Sequence, residues 1–203
     1  MNDTRPLILG VTASPRAGGN TDELLDAALE AARAAGGETR TVHLRRYTIS
    51  PCVGCERCRK DKACTKLYDG MQLLYPLIEQ ADGLVFGTPV HNYNVTAWAK
   101  AFIDRLYCYY DFTDDRPRGW SSRLAGRGKK AVVFVIGEQP DEESMGIAVP
   151  AMALPLEALG FEVLDKITVM GHFDKGIVAR DRDAMGTMRQ AGNNLAAALD
   201  GGA

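Results

Sequence analysis

Short apolar runs alternate along the chain with longer stretches in which apolar residues recur three and four apart. LILGVTAS (7–14) is continuously apolar and ends in small and polar residues, the pattern of a strand buried on both faces. TDELLDAALEAARAAGG (21–37) carries acids in its first turn and a glycine pair at its end, which predicts a helix with both ends marked. ETRTVHLRR (38–46) alternates as a half-buried strand does, and DGMQLLYPLIEQA (69–81) predicts a helix with Pro76 lodged inside it. GLVFGTP (83–89) is a buried strand followed by a helix over NVTAWAKAFIDRLY (94–107). KKAVVFVIGE (129–138) and FEVLDKITV (161–169) are the last two strands, with helices over about 143–159 and near 181–199.

Five strands separated by helical segments predict an α/β fold, a parallel sheet with helices on both faces. No internal repeat, low-complexity tract or linker breaks the pattern, so residues 1–203 are expected to form one domain. Two stretches fit neither period: a cysteine-rich insertion at about 50–66, after the second strand, and DFTDDRPRGWSSRLAGRG (111–128). The latter predicts an irregular loop of the length usually given to function or motion.

Composition changes this picture little. Of 203 residues 46% are hydrophobic and 25% charged, the ordinary globular range. The 24 basic and 26 acidic residues leave a net charge of −2, so neither a nucleic-acid nor a membrane partner is expected. The opening MNDTRPLILGVTASPR lacks a basic segment before a long apolar core, and no apolar run approaches the roughly 18–20 residues of a membrane span. A cytoplasmic location is therefore expected, where thiols stay reduced.

Candidate chemistry lies in the loops at the carboxyl ends of the strands, where open α/β sheets bind ligands. The first, ASPRAGGNT (13–21), precedes a helix: Ser14, Asn20 and Thr21 offer side-chain donors, the glycines let backbone amides approach, and Arg16 adds a full positive charge. Ser, Asn, Thr and Gly here also serve as helix caps, but Arg16 beside them favours an anion. There is no G-x-x-x-x-G-K-[ST] and no G-x-G-x-x-G after the first strand, which leaves a cradle for a single terminal phosphate, as on a mononucleotide. The loop after the third strand, GTPVHNYN (87–94), mixes Thr88, Asn92 and Asn94 with Pro89, Val90, His91 and Tyr93. A planar heteroaromatic ring needs that mixture of polar edge and flat surface.

These two loops, with the PCVGCERCRKDKAC run between them and AFIDR (101–105) after them, resemble the NADPH-dependent FMN reductase family of flavodoxin-like proteins, and most closely its iron–sulfur flavoprotein branch. The resemblance spans roughly residues 7–175. It implies a flavodoxin-like three-layer sandwich, five-stranded in order 2-1-3-4-5, with FMN at the switch point. Ser14, Arg16, Asn20 and Thr21 would hold the FMN phosphate. Thr88, Pro89, Val90, His91, Asn92, Tyr93 and Asn94 would line the isoalloxazine ring, with Gly137, Glu138 and Gln139 approaching from the other side. His91 departs from the family pattern, where an aromatic such as tyrosine is usual, and Glu138 stands where glycines are usual. The resemblance also implies NAD(P)H as electron donor and a homodimer or homotetramer with the Phe102-Ile103-Asp104-Arg105 helix near the interface. No protein side chain is assigned a catalytic role, because flavin N5 carries the chemistry.

Cys52, Cys55, Cys58 and Cys64 supply thiols at spacings of two, two and five residues, close to the ferredoxin arrangement for a [4Fe–4S] cluster. Four cysteines are also a structural zinc set, though zinc pairs usually stand farther apart, and free redox-active thiols are the third reading. Arg57, Arg59, Lys60 and Lys62 are expected to offset thiolate charge, and Cys108 to pack in the core. Three functions remain open: an NAD(P)H- or ferredoxin-dependent oxidoreductase acting on flavin, quinone or another small acceptor; an electron-transfer protein without its own small substrate; and a redox sensor using its thiols.

Overall fold

The apolar runs become strands and the periodic stretches become helices in a computed structural model that describes residues 5–201. The first four residues, which begin the segment read for a leader, and the last two, which fall within the 1–203 domain expectation, lie outside the described residues. In chain order the elements are β1 (Leu7–Thr12), α1 (Asn20–Ala34), β2 (Glu38–His43), α2 (Cys58–Asp61), α3 (Met71–Gln80), β3 (Gly83–Pro89) and α4 (Ala97–Arg105). They continue with β4 (Tyr110–Phe112), β5 (Trp120–Ser122), β6 (Lys130–Ile136), α5 (Ala148–Ala158), β7 (Glu162–Val169) and α6 (Arg182–Asp200).

β2, β1, β3, β6 and β7 pair in that order and all in parallel. Counting only these five, the order is 2-1-3-4-5, the flavodoxin-like sheet. Alternation along each strand splits the core in two. Leu9, Val11, Leu84, Phe86, Val133 and Val135 face α3, α4 and α5, while Ile8, Val85, Val132, Phe134 and Ile136 face α1 and α6. The result is a three-layer sandwich with both sheet faces covered, which is why the central strands read as unbroken apolar runs. Among the described residues no helix is long and apolar enough to cross a membrane.

Two expectations change. Segment 111–128 is not wholly irregular: β4 and β5 form an antiparallel hairpin, Tyr110 opposite Ser122 and Phe112 opposite Trp120. Strands of three residues are too short to show a period, and this pair is fixed by aromatic packing, with Tyr107 stacked on Phe112 and Tyr110 edge-on to Trp120. The helix expected over 94–107 starts at Ala97, because Thr96 Oγ1 accepts the Ala99 N–H at 3.2 Å as an N-cap.

α1 and α6 pack side by side on one sheet face through a close approach at Gly192, where a Cβ would strike the Ala28 carbonyl oxygen. A mid-helix Gly→Ala change ordinarily stabilises by roughly 0.5–1 kcal/mol. Here the added methyl must push backbone apart, so Gly192→Ala is expected to destabilise by about 1–3 kcal/mol in urea unfolding; an increase in stability would refute the close-packing account.

Candidate functional site

β1, β3 and β6 all end on one edge of the sheet, and the loops that follow them form one cleft of about 200 Å³. The first loop contributes Ser14, Pro15, Arg16, Asn20 and Thr21. The loop after β3 contributes Pro89, Val90 and His91, and the loop after β6 contributes Gly137, Glu138 and Gln139, together with Ile136 from the strand end. A fourth loop, after β7, adds His172 and Phe173, which sequence reasoning missed. The chain reaches there by turning back over the sheet edge: His172 N–H donates to the Gly137 carbonyl at 3.0 Å and Gly171 N–H to that of Gln139 at 3.2 Å.

The first loop is shaped as an anion cradle. Ser14 Oγ accepts the Arg16 N–H at 3.2 Å, and the backbone N–H groups of Ala17, Asn20 and Thr21 have no acceptor within the chain among the described residues. Asn20 and Thr21 open α1, so their free amides sit at the positive end of a fifteen-residue helix. Arg16 leans across the mouth, donating to the Phe173 carbonyl at 2.8 Å with its guanidinium 5.0 Å from the Phe173 ring centroid. Asn20 Oδ1 accepts the Val178 N–H at 3.3 Å and ties the fourth loop to α1.

Beneath the cradle lies a buried carboxylate absent from the sequence expectations. Asp22 accepts from the Thr12 hydroxyl at 2.9 Å, from the Gly18 N–H at 2.9 Å and from Arg45 at 2.8 and 3.1 Å. Arg45 also donates to the Ser14 carbonyl at 3.3 Å, so one ion pair holds both ends of the loop. Burial pushes the Asp22 carboxyl up, but Arg45, Gly18 N–H and the Thr12 hydroxyl outweigh it and hold the group below its ordinary value. An acid in the first helical turn and an arginine just past the neighbouring strand were the available signals.

In the second loop the structure separates residues that the sequence grouped. Thr88, Asn92, Tyr93 and Asn94 are not among the residues lining the cleft. The Thr88 hydroxyl is buried under the loop, donating to the Pro89 carbonyl at 3.1 Å and accepting the Thr96 N–H at 3.3 Å. Asn94 Oδ1 accepts the Val95 N–H at 2.8 Å. Asn92 and Tyr93 form the tip of a tight turn, with φ of 50° and 62°, closed by His91 N–H to Asn94 O at 2.8 Å and Asn94 N–H to His91 O at 3.1 Å. Two successive non-glycine residues in the left-handed region cost about 1 kcal/mol or more each, a strain found where a loop serves a ligand.

The four clustered cysteines share a second pocket, of about 30 Å³, on the α4 side of the sheet. Cys58 and Cys64 are half-buried and Cys52 and Cys55 exposed; burial first, then the neighbouring thiols, push the Cys58 thiol up. Among the described residues no three His, Cys, Asp or Glu gather into a set able to hold a single metal ion. Cys108 packs in the core as expected, yet also lines this pocket, its thiol pushed up to about 12 by burial. The nearby cations are drawn elsewhere: Arg59 pairs with Glu56 at 3.0 Å and lies over Phe112, and Lys62 pairs with Asp111 at 2.5 Å.

A second buried ion pair fixes this segment. Arg105, at the end of α4, donates to Asp69 Oδ2 at 2.7 Å and to the Ser50 carbonyl at 3.0 Å, while Asp69 accepts the Ser50 N–H at 2.9 Å. Both ends of the cysteine stretch thus meet at one guanidinium. Of the helix segment expected near an interface, Phe102, Ile103 and Arg105 are buried within the chain. α4 separates the two sites: Thr96 caps it beside the cleft and Arg105 ends it at the cysteine pocket, about 13 Å away along nine residues.

Comparison with known proteins agrees with this architecture. The family described as NADPH-dependent FMN reductase matches residues 6–167. An iron–sulfur flavoprotein of Archaeoglobus fulgidus is 34% identical over 138 residues, covering 68% of this chain and 58% of that protein. One of Methanosarcina thermophila is 38% identical over 98 residues, 48% of this chain and 51% of that protein. The chain therefore spans a little over half the length of these relatives. Among solved structures, an NAD(P)H:quinone oxidoreductase from Methanothermobacter marburgensis superposes with a TM-score of 0.70 at 20% identity, covering 95% of this chain and 100% of that one.

Removing Asp22 leaves Arg45 buried without its partner, so Asp22→Asn is expected to cost about 3 kcal/mol in urea unfolding at neutral pH. The depressed carboxyl fixes the sign of the pH effect. The difference between wild type and variant should be full above the ordinary value of 3.8 and shrink as pH falls through the lowered one. A pH-independent difference would refute the ion-pair account.

Proposed function

The chain belongs to the NADPH-dependent FMN reductase family, and from that premise we propose that it is a single-domain, FMN-dependent NAD(P)H oxidoreductase that passes electrons to a free flavin, a quinone or a similar small acceptor. One observation carries the reading: a loop with three unpartnered amides and an arginine stands at a helix start, in the same cleft as two loops able to flank a flat ring.

The residues present fit the cofactor. The free N–H groups of Ala17, Asn20 and Thr21, with Arg16 and the Thr21 hydroxyl, supply donors to a terminal phosphate, which offers only acceptors at neutral pH. Asp22 and Arg45 keep the loop in that shape before the ligand arrives, so little ordering is left to the binding event. Pro89, Val90 and His91 on one side and Gly137 and Glu138 on the other bound the part of the cleft left for the ring. FMN, when bound, supplies hydride and single-electron chemistry at its N5. The strained turn at Asn92 and Tyr93 leaves Tyr93 exposed at the rim, where a donor or acceptor must approach. We assign the protein to the cytoplasm and to a homodimer or homotetramer, consistent with exposed Trp98, Trp120 and Leu154.

For the cysteines we propose a [4Fe–4S] cluster held by Cys52, Cys55, Cys58 and Cys64. All four cysteines line one pocket, their donor type suits iron and sulfide, and the relatives compared above are named iron–sulfur flavoproteins. Such a cluster supplies one-electron transfer, which admits a redox protein such as ferredoxin as partner. A chain that exchanges electrons only with such a partner is the second reading, favoured by the same pocket.

Anaerobic mixing with NADPH or NADH should bleach the flavin band at about 450 nm. A stable band with both would remove hydride transfer and leave the electron-transfer reading. Arg16→Ala combined with Asn20→Ala should release FMN, and unchanged flavin content would contradict the phosphate assignment. Anaerobically prepared protein should contain iron and acid-labile sulfide, lost in Cys64→Ala; zinc without sulfide, or neither, would overturn the cluster.

A further inference from the structure

The Asp22–Arg45 pair beneath the cradle has a third member. His43, the last residue of β2, places Nδ1 2.9 Å from Arg45 Nη2 and 3.7 Å from Asp22 Oδ1. A guanidinium can only donate, so Nδ1 is the acceptor, the ring is neutral and its proton sits on Nε2. The same Arg45 nitrogen donates to Asp22 Oδ2 at 2.8 Å, and the other terminal nitrogen reaches Asp22 Oδ1 and the Ser14 carbonyl. Neutral His43 thus helps to hold the guanidinium that carries the loop.

A proton taken from solvent onto Nδ1 reverses this contact. Two charged donors would face each other at 2.9 Å, with a carboxylate oxygen only 3.7 Å from the ring. Imidazolium and guanidinium then compete for one carboxylate, and what His43 takes from Asp22, Arg45 loses. The side chains of His43, Arg45 and Asp22 are 19%, 11% and 6% exposed, so water screens the repulsion little. The loop feels the change directly. Arg45 holds the Ser14 carbonyl and Asp22 the Gly18 N–H, the two sides of the turn that aims the free amides of Ala17, Asn20 and Thr21.

The charges around the ring oppose one another. α1 presents Asp22 and Asp26, which favour the proton, while Arg45 and Arg46, just past β2, resist it; Thr12, opposite His43 in β1, is uncharged. Burial first, then Asp22, push the Asp26 carboxyl up. Burial first, then Arg45, hold His43 below its ordinary value of 6.5, so the ring is neutral at neutral pH and gains its charge only in acid. Resting on the FMN reading above, we propose that His43 is a proton-operated latch on the cradle: neutral, it secures Arg45; protonated, it draws Asp22 away from Arg45, slackens the Ser14–Gly18 turn and weakens the grip on the cofactor's phosphate.

Proton and phosphate then oppose each other reciprocally, so the latch can be read from either side. Flavin-stripped protein is titrated with FMN by fluorescence quenching at about pH 8 and about pH 5, the range in which a histidine changes charge. Wild type is compared with His43→Asn, whose amide oxygen can accept from Arg45 but takes no proton. The phosphate of FMN, His91 and His172 titrate alike in both proteins. The loss of affinity from the higher to the lower pH should be about 10-fold greater in wild type. Riboflavin, which has no phosphate, should show no such difference between the two proteins. In wild-type protein followed by NMR, saturating FMN should move the His43 titration to lower pH by about one unit, the same factor seen from the proton's side. Equal losses in the two proteins, a difference that riboflavin shares, or a His43 titration that FMN leaves in place would each overturn the latch while the flavin reading stands. Wild-type protein that binds no FMN even at the higher pH overturns both.

Discussion

A parallel strand cannot be followed directly by its neighbour; the chain must return over the sheet face before it runs the same way again. That constraint organises this molecule. It covers both faces with helices, makes the central strands apolar throughout, and collects every strand's carboxyl end along one edge. Four loops from distant parts of the sequence therefore meet there without any residue having been placed for that purpose.

What the topology leaves undecided is the shape of those loops, and here two buried ion pairs act in parallel ways. Asp22 with Arg45 fixes the cradle between β1 and α1, and Asp69 with Arg105 fixes the base of the cysteine stretch. In each, the carboxylate also accepts backbone N–H groups, so charge compensation and loop geometry are one network. Buried pairs of this kind are weak sources of net stability compared with apolar packing, but they are directional. At the cleft, direction matters more than energy, because the network sets the aim of the free amides of Ala17, Asn20 and Thr21.

The strands and helices were legible because their signals are local. GLVFGTP (83–89) reads as a buried strand and is one, and Ser14, Arg16, Asn20 and Thr21 come together because they lie on one short loop. Side-chain direction within a loop was not legible. Nothing in GTPVHNYN says that Thr88 turns inward to Thr96 while His91 reaches the cleft, since the decision rests on hydrogen bonds to residues elsewhere in the chain. Asp69 and Arg105 are 36 positions apart and carry no shared pattern. His172 follows an edge strand whose loop should lie far from the cradle; only the turn of the chain back across the edge brings it there.

The clamp at Arg105 has a consequence for how such a chain can change. Because Ser50 and Asp69 are gathered at a single guanidinium, the intervening residues leave and re-enter the fold at nearly one point. Lengthening or shortening a loop whose ends are already joined alters its closure entropy only logarithmically, by about 0.6 kcal/mol per doubling. The cysteine stretch is thus pinned at its base by one guanidinium, while its far part is tied separately to the chain, through Arg59 over Phe112, Lys62 on Asp111 and the Cys64 carbonyl on Gln72. A change of length is therefore cheapest between those ties, in the exposed turn around Val53 and Gly54, where the loop touches least of the fold.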